Sequence, residues 1–438
     1  MGRMSKDRGT GAARYVLGAG GLLLLAALLV NPWTAGFWKG DRALDYLDAI
    51  ASSARVCAIG GVALVLLQGF VRRFGSAALR KTLVLAATLA LFAGADRLLL
   101  AHFGLPFWIP DQEAHFKNRP NATRLSRAGH AVWRTNSYGY SDDEFPVEKP
   151  AGELRGLMVG DSITQGFQLE YQETYPYLLE RILDERDSLH DSHQMINAGV
   201  AGYAVYQEVA ATRAGLRFDP DFVSIGFCMN DVTEPFRVSK EYGGAGVDYH
   251  GVQEAANPLA AYLVNETGFG RLVQYLGRDK SSLEFRKRWE DYNVRDMVAA
   301  MDDPRYAEAW KLVLGQLDEF YAVAEEAGIP ALLIVFPYEF QLADEGWQEP
   351  QRILAAHARD HGAAVLDLAP IFFHAIYGAD ATFEELRASG KGPREIFNAH
   401  REAAARYYFD SNHLTAEGAR LTAEAIWNKL VEMGLAGG

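Results

Sequence analysis

The sequence predicts an α/β fold, a three-layer α/β/α parallel sheet from Glu153 onward, preceded by an apolar N-terminal part with three transmembrane helices. Three observations predict it. Short apolar runs alternate with helical patterns after Glu153, three apolar stretches of about 20 residues lie before Gly104, and the two parts carry opposite charge.

The chain has 438 residues, 43 Lys plus Arg, 56 Asp plus Glu and a net charge of −13. Its 49% of hydrophobic residues excludes a disordered chain. Met1 to Ala101 holds 12 basic and 5 acidic residues, whereas the remainder is strongly acidic. An acidic soluble part repels phosphate, which argues against nucleic acid as a partner. Cys57 and Cys228, the two cysteines, lie in unrelated apolar segments and predict neither a disulfide framework nor a thiolate zinc site.

Tyr15 to Trp33 is apolar after a basic start containing Arg3, Lys6, Arg8 and Arg14. Ser52 to Val71 is the second stretch, with Arg55 early, and Thr82 to Phe103 the third, with Asp96 and Arg97 late. Each is long enough to cross roughly 30 Å of hydrocarbon as a helix. Arg72, Arg73, Arg80 and Lys81 between the second and third place that connection, and the N-terminus, in the cytoplasm. Three crossings then put everything after Phe103 in the periplasm or outside the cell, with Trp33, Trp38 and Trp108 at the outer interface. A cleaved signal peptide competes for the first stretch without changing that side. Asp96 and Arg97 read as a helix leaving the bilayer, the pair reaching headgroups or a neighbouring helix.

Residues 1–103 are thus read as a membrane anchor. Residues 104–152, with five prolines and scattered aromatics, read as a linker packing on the α/β domain. From 153 to 438, strands are expected at Leu154 to Val159, Met195 to Val200, Phe222 to Phe227, Ala331 to Phe336 and Ala364 to Leu368. Helices are expected near Tyr175 to Leu183, Tyr206 to Leu216, Tyr306 to Ala327, Pro350 to His361 and Thr415 to Glu432. The stretch at about 232–304 is irregular and reads as a cap or substrate-binding insertion.

In such a sheet, chemistry sits at the carboxyl ends of the strands. Gly160-Asp161-Ser162 comes after the first strand and puts a hydroxyl and its own N–H at a helix start, where a nucleophile gains from the dipole. Asn197 to Tyr203 lies at the end of the second strand and Cys228-Met229-Asn230-Asp231 at the end of the third. Asp410-Ser411-Asn412-His413 precedes the last helix, which Thr415 caps; the spacing lets the Asp410 carboxylate reach the His413 imidazole.

These four blocks resemble the SGNH, or GDSL-type, hydrolase superfamily, in order and over about Glu153 to Leu435. The resemblance implies a flavodoxin-like sheet of order 2-1-3-4-5. It implies Ser162 as nucleophile, His413 and Asp410 as base and orienter, and an oxyanion hole formed by the N–H groups of Ser162 and Gly202 and the Asn230 amide. No cofactor or metal is needed. Where the family commonly has Gly-Gly-Asn-Asp, this chain has Cys228-Met229-Asn230-Asp231, which is expected to narrow the space beside the oxyanion hole. Gly202-Tyr203 with Tyr206-Gln207 looks like the extracytoplasmic, polysaccharide-modifying subset.

Elsewhere, His190 and His193 have metal-like spacing but read as a solvated loop, and Tyr171, Tyr175 and Tyr177 read as core packing. Trp289, Tyr292, Trp310 and Trp347 stay open between a sugar or lipid groove and packing. The function expected is a membrane-anchored serine esterase acting outside the cytoplasm on O-acylated envelope glycans or lipids. The alternatives are an O-acyltransferase for an envelope polysaccharide, supplied by a membrane-bound acyltransferase partner, and a non-catalytic envelope assembly subunit.

Overall fold

The computed structural model describes residues 77–125, 131–238, 258–277 and 283–438, with scattered positions between 21 and 66. Its chain divides into two compact units: Met1–Pro106 with Gln253–Asp279, and Phe107–Val252 with Lys280–Gly438.

The larger unit is built on five parallel strands: β1 (Glu153–Gly160), β2 (Ser192–Gly199), β3 (Phe222–Cys228), β4 (Ala331–Phe336) and β5 (Ala364–Asp367). Their order is β2-β1-β3-β4-β5, as the resemblance implied. Leu157, Met158, Val159, Ile196, Val223, Ile225 and Leu332 to Val335 are wholly buried, because a parallel sheet covered on both faces needs apolar side chains pointing both ways. Cover comes from α1 (Tyr175–Arg186), α2 (Val205–Gly215), α3 (Pro304–Ala327), α4 (Glu349–Asp360) and α5 (Ala416–Glu432). Asp303 caps α3 by accepting from Arg305 N, Pro304 opens it, and Gly328 at φ 70 ends it. Tyr171 and Tyr175 pack into the core, their hydroxyls bonded to Asp142 and Thr164.

Residues 107–152 are part of this unit. Two antiparallel pairs, Trp108–Asp111 with His115–Asn118 and Thr123–Leu125 with Val132–Arg134, supply a second core of Phe107, Trp108 and Trp133 against Val200, Ala201 and Tyr203. Trp108 is therefore buried rather than at a membrane interface. The fully buried Arg155 holds this segment down: it donates to the carbonyls of Pro146, Val147 and Phe218 and pairs with Glu153.

The buried Asp142 and the half-buried Glu180 beside β2 make stability pH-dependent. Burial pushes Asp142 up to about 7, against hydrogen bonds from Tyr171 and Asn197, and pushes Glu180 up to about 8, against the Met195 N–H. The folded state holds their protons more tightly than the unfolded chain, so their contribution is complete below about pH 4 and is lost as pH rises through 7 to 8. The melting temperature is expected to be lower at pH 8.5 than at pH 5.5, and Glu180→Gln should shrink that difference; an unchanged difference in a differential scanning calorimeter would refute the assignment.

In the smaller unit, the helix Ala77–Phe103 packs against the helix Gly268–Gly277. A side chain at Gly268 would collide with the Asp96 carbonyl, and Asp96 itself accepts from Phe269 N at 3.1 Å, so this carboxylate caps a neighbouring helix. Phe92 and Phe269 meet at 5.8 Å. Among the described residues no helix is long and apolar enough to cross a membrane, and three transmembrane helices are not supported. The stretch Tyr15–Trp33 lies almost entirely outside the described residues, and Ser52–Val71 is described in part. Thr82–Phe103 falls inside the helix Ala77–Phe103, where Asp96 and Arg97 interrupt the apolar run.

The described residues of the insertion at about 232–304 are largely helical, where the sequence reads as irregular. Asn230–Val238, Pro258–Asn265, Gly268–Gly277, Leu283–Asp291 and Val294–Ala299 are all helices of ten residues or fewer. Pro235 and the glycines at 268, 270 and 277 blur their periodicity in the sequence.

Candidate active site

β1 delivers Ser162 to the carboxyl edge of the sheet. The helix after it is a single turn, Ser162–Gln165, ended by Gly166 at φ 87. So short a helix has little macrodipole, and its effect on Ser162 is geometric instead. Asp161 caps the turn by accepting from Ile163 N at 2.8 Å, which fixes the direction of the Ser162 N–H. β2 closes against the same turn because Gly199 has no side chain; a Cβ there would lie 2.2 Å from Gln165 N. Gln165 Oε1 accepts from Ala201 N at 2.6 Å, Tyr203 N donates to the Val200 carbonyl, and Gly202 sits between them at φ 83, a conformation that favours glycine.

The loop before α5 brings the base from the other end of the chain. A bridge pairs Tyr408 with Leu414, Phe409 N donates to the His413 carbonyl, and Glu339 N donates to the Ser411 carbonyl. Thr415 caps α5 through Gly418 N. Within this frame Ser162 Oγ lies 2.8 Å from His413 Nε2, and His413 Nδ1 lies 2.8 and 2.9 Å from the two carboxylate oxygens of Asp410. Partial burial raises the Asp410 pKa, but the His413 imidazole and the N–H groups of His413 and Asn412 outweigh it and hold the carboxyl below its ordinary range. An ionised Asp410 only accepts, so Nδ1 carries the proton and Nε2 is left to accept from the Ser162 hydroxyl.

Asn230 opens the helix after β3, and its amide donates to Asp161 Oδ2 at 3.0 Å; the same oxygen lies 3.5 Å from Ser162 Oγ. One buried carboxylate therefore holds both the nucleophile's turn and the amide. Burial pushes the Asp161 pKa up, opposed by the Ile163 N–H, the Asn230 amide and His413. Behind it, burial pushes Glu208 and Asp231 well above the ordinary carboxyl range, and the Asp161 charge adds to that shift in both.

The structure thus brings Ser162, His413, Asp410 and Asn230 together, with Gly202 in the adjoining turn. Cys228 and Met229 are packed in behind the site, Cys228 Sγ lying 3.8 Å from Asn412 Nδ2 beside His413. Both are wholly buried, and Cys228 N donates to Asp231 Oδ2. Sequence reasoning missed two residues. Asp161 was visible only as a turn residue, and Phe167, whose ring stacks on His413 at 4.0 Å and leans on Trp133, carries no motif at all. Of the aromatics left open, Trp310 is core and Trp289 is exposed, with Arg237 stacked over its ring.

Residues 158–421, more than half of the chain, match the sequence profile of the GDSL-like lipase/acylhydrolase family. The chain belongs to that family. It is a carboxylic ester hydrolase. No curated protein matches. Solved structures similar to it include TesA, at 14% identity over 64% of this chain and 99% of that one with a TM-score of 0.35. A GDSL-like lipase from Bacteroides thetaiotaomicron is 15% identical over 64% and 88%, TM-score 0.31. The psychrotrophic esterase EstA from Pseudoalteromonas sp. is 13% identical over 64% and 97%, TM-score 0.34.

Proposed function

We propose that this acylhydrolase is a serine esterase that works through an acyl-enzyme on Ser162, anchored at a membrane by its N-terminal 103 residues and acting outside the cytoplasm on O-acylated envelope glycans or lipids. The observation that carries the chemistry is the continuous relay from Ser162 Oγ through His413 to Asp410.

In this reading Ser162 Oγ attacks the ester carbonyl as its proton passes to His413 Nε2. Asp410 stabilises the imidazolium. The negative oxygen of the tetrahedral intermediate faces the N–H groups of Ser162 and Gly202 and the Asn230 amide, donors whose loss typically costs about a hundredfold to a thousandfold each. Collapse expels the alcohol, protonated by His413, and leaves the acyl group on Ser162. Water activated by His413 then releases the acid and restores the hydroxyl.

Membrane attachment and envelope substrates are supported by the apolar stretches before Gly104, the basic run from Arg72 to Lys81, and the exposed Leu85, Leu89, Phe92 and Leu98 along the helix Ala77–Phe103. Two experiments test this reading. Incubation with acetyl, long-chain and glycan esters should give free acid as the main product; acyl groups found mostly on an added sugar acceptor would make the protein a transferase. Alkaline phosphatase fused after Phe103 should be active, and an inactive fusion there with an active one after Arg73 would reverse the orientation.

A further inference from the structure

The loop between α1 and β2 carries a group of ligands that the ester chemistry does not use. His190 and His193, expected in a solvated loop, both turn inward onto one carboxylate: Asp187 Oδ2 lies 2.6 Å from His190 Nδ1 and 3.0 Å from His193 Nε2. The three ligand atoms fall within 4.8 Å of one another. The Asp187 side chain is wholly buried and that of His193 is 3% exposed, while His190 remains accessible at 26%.

The surroundings of these atoms resemble the outer support of a metal site. The second oxygen of Asp187 accepts from Gly437 N at 2.8 Å and Leu189 N at 3.2 Å, which fixes the plane of the carboxylate. The second nitrogen of His193 faces Asp184 Oδ1 at 3.0 Å. A carboxylate behind a ligating histidine fixes its tautomer and raises its basicity. Two imidazoles and one carboxylate suit a borderline divalent ion, and tetrahedral zinc places such donors roughly 3.3 Å apart. The two separations from Asp187 Oδ2 need to open by about 0.3 and 0.7 Å to reach that spacing, within the reach of side-chain rotation.

We propose that Asp187, His190 and His193 bind a zinc ion that fastens the C-terminal tail to the α1–β2 loop. The tail already reaches this point: Ser188 N and Oγ donate to the Gly437 carbonyl, and nearby Arg186 makes a bidentate pair with Glu424 of α5. The site has a structural role, not a catalytic one. His193 pairs with Leu154 near the start of the sheet and Gly199 with Gly160 at its end, so roughly 20 Å of strand separates it from Ser162.

A second group, Asp318 with His357 and His361, is more exposed, and removing it keeps the readout clean. In the full chain carrying His357→Ala and His361→Ala, zinc chloride titrated calorimetrically should bind at one equivalent and raise the melting temperature. Adding His190→Ala, a partly exposed position, should weaken binding at least tenfold and remove the thermal shift, with ester hydrolysis unchanged. Absence of zinc binding in the first variant, or equal stabilisation after His190→Ala, would overturn the proposal; neither result bears on Ser162.

Discussion

Ser162→Ala is expected to lower ester hydrolysis by about 10⁴- to 10⁶-fold while leaving the melting temperature within a few degrees of wild type. The size reflects the geometry. Ser162 Oγ is the atom 2.8 Å from His413 Nε2, so its removal leaves the base without a hydroxyl to activate and the ester carbonyl without an attacking atom. The remaining rate is what the oxyanion donors give to attack by water. Stability should survive because, among the described residues, the hydroxyl's other hydrogen-bond contact is the Asp161 carboxylate at 3.5 Å, and Asp161 keeps its bonds to Ile163 N and the Asn230 amide. A variant that keeps more than about one per cent of the rate would move the nucleophile elsewhere.

Asp410→Asn is expected to cost about 10³-fold in kcat with a small effect on KM. An asparagine can turn its amide N–H toward His413 Nδ1, which moves the ring proton to Nε2 and leaves that nitrogen unable to accept from Ser162. The loss is smaller than for a deeply buried aspartate because the Asp410 side chain is 41% exposed, so solvent can support the ring in its absence. The loop itself should hold: Asn412 N and His413 N donate to Asp410 Oδ1, and an amide oxygen can still accept both. Wild-type kcat in purified Asp410→Asn, measured on a short-chain ester, would assign His413 another orienting group.

The parallel sheet was legible because its central strands β1, β3 and β4 are almost wholly buried, and burial on both faces leaves a continuous apolar run in the sequence. The reacting residues were legible because each comes just after a strand or just before a cap, so local pattern and chemistry coincide at Ser162, Asn230 and His413. What the sequence hides is convergence. The tail at Gly437 lies 250 residues from Asp187, and only the fold shows that they meet beside His190 and His193. Met229 reads as a bulky neighbour of the oxyanion hole, and only the fold shows that it is a fully buried member of the main core. Asp96 reads as a charge in an apolar helix until the packing of Gly268 against it explains its role as a cap.

A fluorophosphonate probe combined with peptide mass spectrometry tests the acyl-enzyme most directly, since it reports which side chain attacks. The expected result is a single adduct on the peptide containing Ser162, lost when His413 is replaced by alanine. A hydrolytically active preparation that carries no adduct, or carries it on another residue, would contradict the assignment.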